Sequence, residues 1–227
     1  LMHIHVLQHT PNEGPGSIAR WSEKHGHQLT VHHPAHFRDV LPRAEEVDFL
    51  VILGGPMSPN DHLPWIAEER ALIAQLMAQH KPIFGACFGA QQIAKVLGGK
   101  VLDAPYKEVG WAPVQRVSDC IPGLPERMEA LHWHEQMFTI PDQAELLFST
   151  ALVKNQGFIL GNIFGLQFHF EPEADNIREM VANDGEYAND AKNALHQTGA
   201  TILAHGIPEE NQEVMFRLLD YLAKQTN

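Results

Sequence analysis

Cys87 stands midway between two glycines in Gly85-Ala86-Cys87-Phe88-Gly89, directly after the apolar residues Pro82-Ile83-Phe84. A thiol that attacks a carbonyl must be presented on a sharp turn. Its neighbours two positions away must be small, because larger side chains would collide with the adjoining strand and helix. A helix that starts at the turn aims its N–H groups and positive dipole end at the sulfur and favours the thiolate. The pentapeptide is the cysteine version of the G-x-S-x-G nucleophile elbow. The same five residues also suit a buried cysteine in a tight strand-to-helix turn, so a second element is needed.

That element is Gly165-Leu-Gln-Phe-His169-Phe-Glu171. A thiol nucleophile needs a base, and the base needs an orienting acceptor. On a strand His169 and Glu171 share a face, while Phe168 and Phe170 point to the other side and anchor in the core. A third element is Leu53-Gly54-Gly55-Pro56, where an apolar run ends in glycines that leave backbone N–H groups bare. Acyl transfer needs such donors for the oxyanion of its tetrahedral intermediate.

The elements that position these residues follow from hydrophobic periodicity. Residues 2–8 and 28–34 read as strands, 17–26 as a helix closed by Gly26, and 48–55 as a strand buried on both faces. Residues 63–81 form a helix started by Pro64, with Ile66, Ile73 and Met77 on one stripe. A buried strand then leads into Cys87, and a helix from about Gly89 is stopped by glycine. Strand and helix in alternation predict an α/β fold, with an open, doubly wound, mostly parallel sheet and helices on both faces. Active sites of such sheets lie at the carboxyl ends of the strands, where Cys87 falls. From Lys100 to about Phe148 shorter, proline-rich segments suggest hairpins or an antiparallel extension. Residues 157–173 read as a hairpin leading into one more buried strand, and about 174–224 as a helical extension. With no repeat or linker, 1–227 is expected to be a single domain.

Composition narrows the partners. A formal charge of −12 with scattered histidines argues against nucleic acid and anionic membrane surfaces. Two cysteines 33 positions apart make no disulfide framework, and no apolar run approaches membrane length, so a reducing cytoplasm is the expected location.

The motifs Leu7-Gln-His-Thr-Pro-Asn-Glu-Gly-Pro-Gly16, Gly54-Gly-Pro-Met-Ser58, Gly85-Ala-Cys-Phe-Gly-Ala-Gln91, Lys107-Glu-Val-Gly-Trp111, His132-Trp-His-Glu135 and Gln167-Phe-His-Phe-Glu171 span nearly the whole chain. Together they resemble the class I, triad-type glutamine amidotransferases, and among these the free-standing relatives of the glutaminase domain of GMP synthetase. The resemblance implies that Cys87 attacks a γ-glutamyl carbonyl, His169 shuttles the proton and Glu171 orients His169. It implies an oxyanion hole from the N–H groups of Gly55 and Phe88. It places Gly54, Gln91 and the segment His134-Glu135-Gln136 against the substrate, the last as a loop over the glutamine. No cofactor or metal is implied.

Two positions depart from the family pattern. Phe170 stands where many relatives have proline, on the side facing away from the site. Gln136 stands where close relatives similar to HWHGD carry an acid. If that acid pairs with the substrate's ammonium, then either Glu135 replaces it from another angle or the preferred ligand is not free glutamine.

Other signals carry less. Gly14-Pro-Gly16-Ser-Ile-Ala19 spells a dinucleotide fingerprint but lies too far beyond the first strand. The pairs His3/His5, His32/His33 and His132/His134 lack a third metal ligand at a usual spacing. Three readings follow: a glutaminase that passes ammonia to a separate synthetase partner, an autonomous γ-glutamyl peptidase or hydrolase, and a non-catalytic binding module on the same scaffold. The intact Cys-His-Glu set speaks against the third.

Overall fold

The computed structural model describes residues 1–36 and 39–225. The first half alternates strand and helix through β1 (His3–Leu7), α1 (Ser17–Lys24), β2 (Gln28–His32), β3 (Phe49–Ile52), α2 (Pro64–Ala78), β4 (Ile83–Ala86) and α3 (Phe88–Val96), except that among the described residues only a 3-10 turn (Ala44–Glu46) separates β2 from β3. Five further strands follow, β5 (Val101–Arg116), β6 (Arg127–Phe138), β7 (Glu145–Ser149), β8 (Gly157–Leu160) and β9 (Ile163–Leu166). The helices α4 (Ala174–Ala188), α5 (Gly199–His205) and α6 (Glu210–Lys224) complete the described chain.

The described strands make one nine-stranded sheet in the order β2-β1-β3-β4-β9-β8-β7-β5-β6. The block β2-β1-β3-β4-β9 is parallel. Beyond β9 the pairing turns antiparallel through β8, β7, β5 and β6. The period of two sorts the side chains of the parallel block. Ile4, Val6, Phe49, Val51 and Phe84 meet Ile18 and Trp21 of α1 and Leu218 and Leu222 of α6 on one face. Leu7, Leu50, Ile52 and Ile83 meet Leu72, Ile73 and Leu76 of α2 and Ile93 of α3 on the other. Each such side chain contributes about 1.5–3 kcal/mol when fully buried, so these two layers fix the strands that carry the site.

One expectation needs adjustment. The stretch from Lys100 to Phe148 is antiparallel as expected, but its first two strands are long rather than short. β5 and β6 form an extended hairpin with a register shift between Asp103 and Glu108. Pro105 lies within that shift, and Pro113 precedes the point where β7 joins β5 at Gln115, so neither proline interrupts a needed ladder bond. The 174–224 tail is helical as expected and holds three helices. α4 and α5 pack on Val109, Trp111, Leu131 and Trp133 of the hairpin. Within β1, His5 is buried and meets His32 of β2 across the strands at 2.8 Å. No described helix is long and apolar enough to cross a membrane.

Candidate active site

Cys87 closes β4 and caps α3, with φ 55° and ψ −113°. This is the left-handed region that a non-glycine residue enters only under constraint. Its N–H is tied to the Leu166 carbonyl of β9 at 2.7 Å, which fixes the turn against the neighbouring strand. The flanking glycines are there for space. A β-carbon on Gly85 would lie 2.6 Å from the Gly89 carbonyl carbon, and one on Gly89 would collide with the Ile52 carbonyl of β3. The elbow therefore has the geometry expected of it, and the sulfur is held at the carboxyl end of the parallel block, in a residue 7% exposed.

His169 lies just beyond β9, in an isolated antiparallel bridge to Leu131 of β6 rather than on a continuous strand as expected. Leaving the sheet lets the chain turn its imidazole toward Cys87 while Phe168 and Phe170 stay in the core. His169 Nδ1 lies 2.7 Å from Glu171 Oε2. Burial alone would lower the imidazole pKa; the Glu171 carboxylate, with Cys87, outweighs it and holds the ring well above its ordinary value. His169 Nε2 is buried with no hydrogen-bond partner among the described residues. Glu171 is in turn fixed through its backbone. Its carbonyl accepts from the Ser17 N–H at 2.9 Å, and a β-carbon on Gly16 would collide with the same carbonyl. The Gly-Pro-Gly segment is thus a close-approach turn that docks α1 on Glu171.

The Gly54-Gly55 turn follows β3 beside the elbow. Gly55 N–H has no acceptor among the described residues, and Phe88 is the first residue of α3, where no intrahelical acceptor exists. The turn is underpinned by His9, which no motif or spacing singles out. His9 Nδ1 lies 3.0 Å from the Leu53 carbonyl and Nε2 lies 2.7 Å from the buried Glu69 of α2.

A cleft of about 490 Å³ opens over Cys87 and Gln91. The antiparallel wing and α4 wall it, with Trp133, Glu135 and Gln136 from β6 and Asp184 and Tyr187 from α4. His134, Glu135 and Gln136 therefore belong to a strand, not to a covering loop. The His134 ring is committed on both nitrogens, to the Gln136 carbonyl and to Glu108 Oε1, each at 2.8 Å. It stiffens the wall and leaves no ring nitrogen free for a ligand. Glu135 lies 3.6 Å from Lys107, whose ammonium also covers the Tyr187 ring at 3.7 Å. Gln91 is buried and donates to Gln167, and Gln167 donates to Cys87 Sγ at 3.5 Å.

No sequence signal marks Asp184. It breaks the helical geometry of α4 with φ −140° and ψ 19°, and it accepts from Trp133 Nε1 at 3.0 Å. Glu13, in the loop between β1 and α1, lies in the 7–16 motif without a role assigned to it; its carboxylate reaches within 3.7 Å of His169 Nε2. Burial raises its pKa, as do Glu171 and Asp184, against the opposing His169 and His9 rings. Glu108 supplies the third group that His132 and His134 lacked in sequence, with candidate ligand atoms of the three within 4.8 Å. Gln156 Nε2 and Thr150 Oγ1 also point N–H and O–H donors at this carboxylate, at 2.7 and 3.4 Å. The cluster is consequently a hydrogen-bonded buried network.

Comparison with known proteins agrees with this geometry. Residues 16–184 match the family described as glutamine amidotransferase class-I. The chain belongs to this family. The chain is 26% identical to the glutamine amidotransferase-like protein YfeJ of Salmonella typhimurium, over 97% of each chain. It is 33% identical to one of the subunits of the glutamine-hydrolyzing GMP synthase of Sulfolobus acidocaldarius, over 60% of this chain and 73% of that protein. It spans 23% and 28% of the length of the glutamine-hydrolyzing GMP synthases of Thermomicrobium roseum and Aeropyrum pernix. A solved glutamine amidotransferase from Methylobacillus flagellatus superposes with a TM-score of 0.87 at 28% identity, covering 100% of this chain and 94% of that one.

Proposed function

We propose that this amidotransferase cleaves a γ-glutamyl amide through a thioester on Cys87 and releases ammonia or an amine. The observation that carries the reading is the contiguity of a strained elbow cysteine, a buried imidazole aligned by Glu171, and bare N–H groups at Gly55 and Phe88. His169, kept cationic by Glu171, stabilises the Cys87 thiolate and later protonates the departing nitrogen. The Gly55 and Phe88 N–H groups donate to the oxyanion. Gln91 and the 134–136 segment border the amino-acid end of the substrate. Gln136 offers no charge there and Glu135 is paired with Lys107, so Asp184 supplies the carboxylate for a substrate ammonium.

Glutamine is the substrate class that the family supports. The Sulfolobus relative, named as one part of a synthase, supports delivery of ammonia to a separate synthetase partner. A second reading, an autonomous γ-glutamyl peptidase or hydrolase, is favoured by Gln136, a neutral amide in the cleft wall where the resemblance implies an acid. No cofactor is required for either. Ammonia release from glutamine by the isolated chain, set against turnover of γ-glutamyl peptides, tests the proposal. Cleavage of neither class by the folded protein would refute it.

A further inference from the structure

His169 presents two nitrogens to two carboxylates. Nδ1 is bonded to Glu171, whereas Nε2 faces Glu13 Oε1 at 3.7 Å, too far for a hydrogen bond between them. Among the described residues, Nε2 has no hydrogen-bond partner and is fully buried. The Glu13 carboxylate likewise has no hydrogen-bond donor among them, although its side chain is only 14% exposed. A buried, unpartnered ring nitrogen and a cleft-lining carboxylate, set slightly too far apart to bond each other, define a slot for a third atom.

The chain makes room for this arrangement. A β-carbon on Gly54 would collide with Glu13 Oε1 and lie 3.3 Å from Cys87 Cβ. Glycine at 54 thus opens the path by which Glu13 reaches the nucleophile, next to the Gly55 N–H. A nitrogen about 2.9 Å from Nε2 can stand at the same distance from Oε1, since the two are 3.7 Å apart. In the reaction proposed above, the scissile nitrogen must occupy that place when it is protonated.

We propose that Glu13 is a further catalytic residue, which binds the departing amine by accepting N–H hydrogen bonds from the scissile nitrogen. The inference rests on the γ-glutamyl amide reading. In the tetrahedral adduct the Nε2 proton of His169 passes to nitrogen, and the C–N electron pair leaves with it. The oxyanion re-forms the carbonyl of the Cys87 thioester, and His169 is left neutral. The nitrogen carries positive charge between protonation and departure, and the Glu13 carboxylate faces that charge without exchanging a proton itself. Ammonia and basic amines therefore depend on Glu13. A weakly basic aniline, which leaves with little cationic character, depends on it far less.

The test compares kcat/KM for glutamine and for γ-glutamyl p-nitroanilide in the wild type, Glu13→Gln and Glu13→Asp. Both variants should lower the glutamine value on the order of a hundredfold and shift the glutamine-to-anilide ratio by at least about tenfold. An equal loss on both substrates, or no loss on either, would overturn the role for Glu13. A wild type that cleaves neither compound would instead remove the parent reading. Should Glu13→Gln fail to fold, Glu13→Asp keeps the charge, withdraws it by one methylene and answers the same question.

Discussion

The two halves of the sheet contribute to the site in different ways. At the end of the parallel block, the chemistry rests on backbone: the left-handed turn at Cys87, the close approach of Gly89 to Ile52, and the docking of Gly16 on the Glu171 carbonyl. In the antiparallel wing the cleft wall rests on side chains linked to one another, Trp133 to Asp184, His134 to Glu108, and Lys107 to Glu135. A backbone-set feature tolerates almost no variation, because every neighbour enforces it. A side-chain network can be rewired residue by residue while the strands stay in place. The elbow therefore requires glycine at 85 and 89, whereas Gln136 on the wing wall could be exchanged with its strand intact.

The comparison breaks most visibly at the nucleophile. Cys87→Ala should lower γ-glutamyl turnover on the order of a thousandfold or more while circular dichroism stays native, since triad members act as a unit. Cys120, partly buried and outside the elbow, should be replaceable by alanine without effect. Glu171→Gln keeps a hydrogen-bonding partner for His169 but removes its charge. Turnover should fall by roughly one to three orders of magnitude with little change in KM. Wild-type turnover in that variant would show that another group orients His169.

The wing should carry the larger share of the pH response, although burial also lowers the pKa of His5 and His32 in the parallel block. His132 is fully buried, and desolvation lowers its pKa from 6.5 to about 4 despite the nearby Glu108. The unfolded chain then binds a proton below pH 6.5 that the folded chain refuses until about pH 4. Stability is complete above the unfolded value and declines as pH falls through this window, by about 2 kcal/mol at pH 5. Urea midpoints at pH 7 and pH 5 measure the decline, which His132→Gln should reduce. The smallest effect belongs to Asp184. Its replacement by Asn should raise KM for glutamine about tenfold with kcat nearly unchanged, the signature of one lost charge contact in binding.

Much of the parallel block was legible because its causes are local. Apolar runs ended by glycines, Pro64 at a helix start and the spacing of Gly85 and Gly89 each state a conformational requirement within a few residues. His169 and Glu171 could be paired on spacing alone, although the expected strand proved to be a single bridge. What escaped the sequence depends on distant partners. His9 is unremarkable until α2 brings Glu69 beneath it, and Glu108 completes a trio only through the β5–β6 register. Asp184 reads as a surface helix residue until the break in α4 turns it toward Trp133. Glu13 lies in a motif that the resemblance included without a role. Only folding shows that Gly54 leaves room for it.

The central claim is that Cys87 is the nucleophile for a γ-glutamyl carbonyl, and covalent capture addresses it without any assumption about the acceptor of ammonia. Incubating the intact chain with a γ-glutamyl diazoketone and mapping peptides by mass spectrometry should place one adduct on Cys87, with none on Cys120 and none in a Cys87→Ala variant. An adduct on Cys120, or a folded wild-type protein that remains unmodified, would contradict the account.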